Sequence, residues 1–124
     1  MPLLNFKRQF VEPIRSGSKH HTIRATRKIP VKAGDKLYLY CGARTKNCFR
    51  ILESAVTCSL VQRITILEDR SLRRYVAIEG IRLDSDEREA LARADGFDDF
   101  RSMMRFWDGR LPFEGQIIHW KAVS

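Results

Sequence analysis

The stretch SAVTCSLVQRITI, residues 54–66, carries a long apolar alternation. Successive side chains of a β-strand point to opposite faces of the sheet, so residues two apart share a face. The spacing predicts a long strand, and we expect its apolar side chains to lie on one shared face: Val56, Cys58, Leu60, Ile64 and Ile66. The stretch therefore predicts a sheet at the centre of the fold.

Three other segments predict further strands. KLYLYCG, residues 36–42, alternates leucine with tyrosine, and RRYVAIEGIRL, residues 73–83, predicts one more strand of the same kind. QIIHWKAV, residues 116–123, predicts the last strand. The segment ARTKNCFRI, residues 43–51, is expected to be a basic loop.

Helical signals lie on both sides of these strands. FVEPIRSG, residues 10–17, predicts a short helix that ends at Gly17. Asp84 and Glu87 form a capping-box signal for a second helix, which Gly96 ends. A third helix is predicted from an apolar stripe at helical spacing, which we assign to core packing: Phe100, Met103, Met104 and Trp107.

Together these elements predict one α+β domain over residues 1–124, with a mixed or antiparallel sheet curled into a small barrel and flanked by short helices. The composition, 44% hydrophobic and 31% charged, is ordinary for a globular protein. No apolar run is long enough to cross a bilayer, and the first ten residues lack the pattern of a signal peptide. We therefore expect a cytoplasmic protein without a membrane partner.

The charge is strongly and unevenly positive. The net charge is +8 and the pI is about 9.9. Residues 1–50 contain twelve lysines and arginines, and only Glu12 and Asp35 oppose them. A surface of this kind attracts polyanions, so the composition favours a nucleic acid or a nucleotide as partner.

Within the basic half, SGSKHHTIRA, residues 16–25, concentrates reactive side chains. A metal site would need His20 and His21 to converge with His119 or cysteines from unrelated segments, and no metal-like spacing such as H-x-x-x-H is present. We therefore predict neither a metal nor a cofactor. A thiol enzyme would use Cys41 or Cys48, which lie near the basic loop, but no local pattern identifies either of them as a nucleophile.

Acid–base chemistry by Lys19 and Thr22 is the third possibility for this stretch. A threonine hydroxyl is a weak nucleophile unless a base removes its proton, and a neutral lysine can serve as that base. The lysine pKa must then be lowered by burial or by neighbouring cations. From spacing alone K-x-x-T is a common, uninformative pattern.

Four segments together resemble a known family. GSKHHTIR (residues 17–24) followed by AGDKLYLY (33–40) resembles the G-x-K-x-x-T-I-R … G-D-x-L signature of ASCH domains. YCGARTKNC (40–48) resembles a loop of a branch often seen in phages and prophages, and ADGFDDFRSMMRFW (94–107) resembles the family's later helix entry. The resemblance covers nearly the whole chain, with the motifs in the same order.

The resemblance implies a PUA-like β-barrel with a cleft for a nucleobase or an RNA strand. Some small bacterial members are N4-acetylcytidine amidohydrolases, which hydrolyse the acyl amide on the cytosine exocyclic nitrogen without a metal. Their catalytic Lys and Thr match Lys19 and Thr22, and their Glu falls on Asp95, which is one methylene shorter. Glu89 is the nearest alternative carboxylate.

For such a substrate we expect Arg24 or backbone N–H groups to stabilise the oxyanion. Arg44 and Lys46 are expected to meet ribose or phosphate. Three aromatic side chains are candidate stacking platforms for the base: Phe6, Tyr40 and Trp120.

Two alternatives remain open. The first is an RNA-binding ASCH module, with or without ribonuclease activity on single strands, in which Lys19, Arg24 and Arg44 hold phosphates and Thr22 is a structural cap. The second is a phage accessory protein that binds a host protein.

Overall fold

The computed structural model describes residues 3–121 of the chain. Within them the elements follow in this order: β1 Leu3–Phe6, α1 Val11–Ser16, β2 His21–Ala25, β3 Lys36–Cys41, β4 Phe49–Arg50, β5 Val56–Glu68, β6 Arg74–Ile78, β7 Ile81–Arg82, α2 Ser85–Ala94, α3 Phe100–Phe106 and β8 Phe113–Trp120. A 3₁₀ turn, Arg8–Phe10, leads into α1. The α+β class predicted from the sequence is confirmed.

The long strand β5 organises one mixed eight-stranded sheet. It pairs with β8 along most of its length, with β6 near its end and with β3 near its start, always antiparallel. The strand β8 continues to β2, whereas β3 continues to β1 in a parallel pair. The pairings in residues 3–121 include no ladder between β1 and β2, so they describe a mixed sheet without showing a closed barrel.

The prediction that the apolar side chains of β5 share one face is wrong, because the strand contains a bulge. The register with β8 shifts between Cys58 and Leu60, so two residues of β5 oppose one of its partner. Before the shift Cys58 packs in one core cluster, whereas Ile64 and Ile66 pack in the other. Leu60 is 47% exposed. A one-residue slip moves the following side chains to the opposite face, which strict alternation does not anticipate.

Other strand predictions need correction too. Residues 73–83 form a hairpin of two short strands, because Glu79 and Gly80 both have positive φ, 52° and 79°, and turn the chain. The expected basic loop contains the two-residue strand β4, and the strands β1 and β2 were not predicted. The last strand begins at Phe113, earlier than predicted, and ends at Trp120; Ala122 and Val123 lie outside the described residues.

The helix predictions are confirmed. Helix α1 ends at Gly17, and α2 begins with the predicted reciprocal capping box between Asp84 and Glu87. Such a cap contributes about 1 kcal/mol. The stripe of α3 packs in the core, where Met103 and Met104 are buried. No helix within residues 3–121 has the length and apolar character of a membrane span.

The sheet has a core on each face. One cluster lies between β1, β3, α1 and one face of β8, whose Ile118 and Trp120 point into it. The second cluster lies between α2, α3 and the other face of the sheet, to which β8 contributes Ile117. Strand β2 and the C-terminal end of α2 meet at the boundary of these clusters, and that meeting positions the site.

Candidate functional site

The buried polar side chains of the protein lie together. Among residues 3–121, the buried residues that carry a charge or a polar side chain are Lys19, His21, Thr22 and Asp95, each at most 6% exposed. Three of them, Lys19, Thr22 and Asp95, line a cavity of about 420 Å³. Polar groups are costly to bury, so such a cluster is a candidate functional site with a physical basis.

The turn after α1 carries Lys19 inward. Gly17 ends the helix with φ 89°, and the Lys19 N–H then donates to the carbonyl of Pro13 at 2.9 Å. The side chain of Ser18 also donates to this carbonyl, which closes the turn. The chain enters β2 immediately afterwards, so Lys19 and Thr22 lie on one short segment whose position α1 and β8 fix.

Asp95 lies at the C-terminal end of α2, in direct contact with Lys19. Nζ of Lys19 donates to Oδ1 of Asp95 and to its backbone carbonyl, each at 2.6 Å. The carbonyls at a helix C-terminus lack helical partners and carry partial negative charge, so this end suits an ammonium group. Gly96 follows with φ 99°, and a Cβ there would lie 3.0 Å from the Phe10 ring. The glycine therefore permits both the turn and the close approach.

The environment favours a less basic Lys19. Burial is the largest influence and lowers the lysine pKa below its ordinary 10.5, and Arg24 lowers it further, whereas Asp95 opposes this shift. The ammonium also lies 4.7 Å from the centroid of the Phe10 ring. Lys19 thus has the lowered basicity that a general base requires, together with a carboxylate that orients it.

Thr22 is oriented by Arg24. Nε of Arg24 donates to Oγ1 of Thr22 at 3.1 Å, and Nη2 donates to the carbonyl of Asn5. Burial lowers the pKa of Arg24 to about 10, with a further contribution from Arg27, so this residue is still a cation at neutral pH. Its guanidinium carbon lies 4.6 Å from the centroid of the Phe6 ring. A fixed cation thus lies beside the Thr22 hydroxyl.

His21 belongs to the same cluster, although the sequence predicted no role for it once a metal site was set aside. Its Nε2 lies 3.2 Å from Oδ1 of Asp95, yet the alignment makes no hydrogen bond and leaves Nε2 without a partner in the described residues. The centroid of its ring lies 5.4 Å from the ring centroid of His119, which is its partner in the pairing of β2 with β8. The available signal was that adjacent side chains of an extended segment point to opposite sides: His21 is buried, whereas His20, just before β2, is exposed.

His119 makes the stability of the fold sensitive to acid. Burial lowers its pKa to about 4 from 6.5, and His21 and His20 contribute to the shift. The unfolded chain therefore binds a proton that the folded protein rejects, so the stabilising contribution is present above pH 6.5 and is lost as the pH falls towards 4. We expect the free energy of unfolding to decrease over this interval more steeply in the wild type than in His119→Gln. Urea titrations at several pH values measure both slopes, and equal slopes would contradict the prediction.

The walls of the cavity are aromatic and its rim is cationic. The rings of Phe6, Phe10 and Phe106 line it, and its basic side chains besides Lys19 are Lys7, Arg24 and Arg110. Asp95 is the one carboxylate among its lining residues. A flat ligand with electron-rich oxygens or an anionic group matches this combination of aromatic faces and positive charge.

Several predicted binding residues lie elsewhere. Arg44 and Lys46 are exposed on the loop after β3, and neither lines the cavity; this loop reaches the rim through Ala43, whose N–H donates to Oδ1 of Asn5. Tyr40 is half-buried beside Arg50. The remaining platform, Trp120, is a core residue packed against Phe6.

The residues considered from the sequence for other chemistries do not form a second site within residues 3–121. Glu89 accepts a hydrogen bond from the N–H of Phe100 and does not line the cavity. All three cysteines are free; Cys41 is buried in the core and Cys48 is exposed on its loop. In residues 3–121 no three His, Cys, Asp or Glu side chains are grouped to hold a metal ion.

Comparisons with known proteins give no match: no family model, no curated protein and no solved structure is similar enough to this chain to count as a relative. The residues of the cavity and the motif resemblance are therefore the basis of the proposed function.

Proposed function

We propose that the protein is an amidohydrolase of the ASCH type, with a PUA-like barrel, which removes the acyl group from N4-acetylcytidine and related N4-acylcytosine nucleosides. The observation that carries the proposal is the buried Lys19–Asp95 pair, 2.6 Å apart, at the floor of an aromatic cavity that Thr22 also lines. The resemblance to ASCH domains points to the same three residues. Neither a metal nor a cofactor takes part in the proposed reaction.

In the first step, Oγ1 of Thr22 attacks the acyl carbonyl carbon, and Lys19 takes the hydroxyl proton in the fraction of the protein in which its amine is deprotonated. The carbonyl oxygen becomes an oxyanion. Arg24 donates to Oγ1 at 3.1 Å, so a cation lies next to the carbon that Oγ1 attacks, where its positive charge favours the oxyanion electrostatically.

In the second step, the tetrahedral intermediate collapses, and the bond between the acyl carbon and N4 breaks. Lys19, now an ammonium, gives its proton to N4, so cytidine leaves as the neutral amine. Water then hydrolyses the Thr22 ester, again with Lys19 as base, and releases the carboxylic acid. Asp95 orients Lys19 in both directions of proton transfer. Direct attack by water that Lys19 activates would give the same products without the ester.

The Thr22 hydroxyl separates these two routes. Thr22→Val keeps the shape of the side chain but removes the nucleophile, so we expect kcat for N4-acetylcytidine to fall by at least about 100-fold. Release of cytidine, followed by chromatography, measures the effect. Arg73→Met, which removes an exposed cation far along the chain in the β5–β6 turn, is the control and should retain full activity. Undiminished activity of Thr22→Val would leave water as the nucleophile.

A second candidate function is an RNA-binding module, with or without cleavage of single strands. The observation that favours it is an open, basic depression lined by the segment 27–36, which includes Arg27, Lys28, Lys32 and Lys36. Such a groove suits a phosphate backbone. Salt-dependent binding or cutting of single-stranded RNA, without turnover of acylated nucleosides, would favour this function.

A further inference from the structure

Two cationic side chains at the mouth of the cavity have no role in the proposed reaction. Nζ of Lys7 and the guanidinium carbon of Arg110 each lie 4.8 Å from the centroid of the Phe106 ring. The two groups are therefore at most twice that distance apart. Lys7 comes from the segment after β1 and Arg110 from the turn before β8, so the fold brings them together from distant parts of the sequence.

Both cations are free to take a ligand. Neither makes an ion pair or a side-chain hydrogen bond within residues 3–121, and both side chains are exposed. Arg24, the third unpaired cation of the cavity, is different, because its hydrogen bonds to Thr22 and Asn5 commit it to the floor. The charged ends of Lys7 and Arg110 already lie over the Phe106 ring, which reduces the freedom lost on binding.

The positive charge of the cavity favours an anionic ligand. Lys19 and Asp95 offset one another, so Lys7, Arg24 and Arg110 leave an excess of positive charge in a partly enclosed, low-dielectric space. A cytosine base between the aromatic walls, with its N4 substituent towards Thr22, directs its sugar towards the mouth. A phosphate on that sugar is then the group nearest to Lys7 and Arg110.

We propose that Lys7 and Arg110 form a phosphate subsite, so that the protein binds the monophosphate of the cytosine nucleoside more tightly than the free nucleoside. This inference deepens the proposed function and rests on it for the orientation of the base. Lys7 and Arg110 are specificity residues here, since they contact the phosphate and not the reacting atoms.

The test is a comparison of binding, which needs no turnover. Isothermal titration calorimetry with unacylated cytidine and cytidine 5′-monophosphate should give a Kd about tenfold lower for the monophosphate. The difference should shrink at high salt. In the double variant Lys7→Met/Arg110→Met, which replaces both cations by apolar side chains, the two ligands should bind with equal Kd. Arg73→Met should behave as the wild type.

Equal affinity of the wild type for both ligands would overturn the subsite, and so would a preference that survives in the double variant. A short single-stranded RNA that binds through Lys7 and Arg110 when the monophosphate does not would also overturn it. These outcomes can be distinguished from failure of the proposed function. If the protein binds cytidine monophosphate through Lys7 and Arg110 but leaves N4-acetylcytidine intact, the phosphate subsite is supported and the hydrolase activity is refuted.

Discussion

Lys19→Met should lower kcat for N4-acetylcytidine by about 100-fold to 10,000-fold, the usual contribution of a positioned general base. Methionine fills a similar volume but can neither take the Thr22 proton nor return one to N4. Because burial lowers the pKa of Lys19, the wild-type profile of kcat against pH should rise at a pH below 10.5, and the variant should lack this rising limb. Steady-state rates across the pH range measure both effects.

Loss of fold must be separated from loss of chemistry. Lys19→Met leaves Asp95 buried without its cation, so the double variant Lys19→Met/Asp95→Leu, in which the pair is replaced by apolar groups, provides a folded comparison. It should have near-native circular dichroism and no detectable turnover. A Lys19→Met protein whose kcat stays within about threefold of the wild type would show that Lys19 is not the base.

Asp95→Ala should have the largest effect on stability, a loss of about 3–5 kcal/mol in the free energy of unfolding, because it strands a buried ammonium. Lys19 is 2% exposed, and water cannot easily replace the lost carboxylate. Urea unfolding followed by tryptophan fluorescence measures the change. The matched control is Asp98→Ala, three residues along the chain, where an exposed carboxylate is removed and a change within about 0.5 kcal/mol is expected.

The double variant tests whether the loss of stability comes from the stranded charge. If the pair is strongly coupled, Lys19→Met/Asp95→Leu should be more stable than Asp95→Ala, since it leaves no buried charge without a partner. Asp95→Ala and Asp98→Ala of equal stability would mean that the Lys19–Asp95 contact does not contribute to the fold as described.

Local signals in the sequence predicted the elements that depend on nearby residues. The capping box at Asp84, the stop at Gly17 and the stripe of α3 each act within a turn or two of helix. The bulge in β5 was missed because it depends on the partner strand, against which Cys58 and Leu60 change register. The two-residue strand β4 gives no periodic signal at all, because it is too short to alternate.

The site depends even more on distant contacts. Lys19 and Asp95 are separated by 76 positions, and only the resemblance to a family motif joined them before the structure was known. The wall formed by Phe106 and the cations Lys7 and Arg110 had no sequence signal, because each residue comes from a different element. Positive charge alone pointed to Arg44 and Lys46, which lie outside the cavity.

The central claim is that the buried Lys19–Asp95 pair and Thr22 hydrolyse the amide of an N4-acylated cytosine. The most direct measurement incubates purified wild-type protein with N4-acetylcytidine and quantifies the products by liquid chromatography and mass spectrometry. We predict cytidine and acetate in equal amounts, formed over many turnovers. Intact N4-acetylcytidine after prolonged incubation with folded protein would contradict the claim.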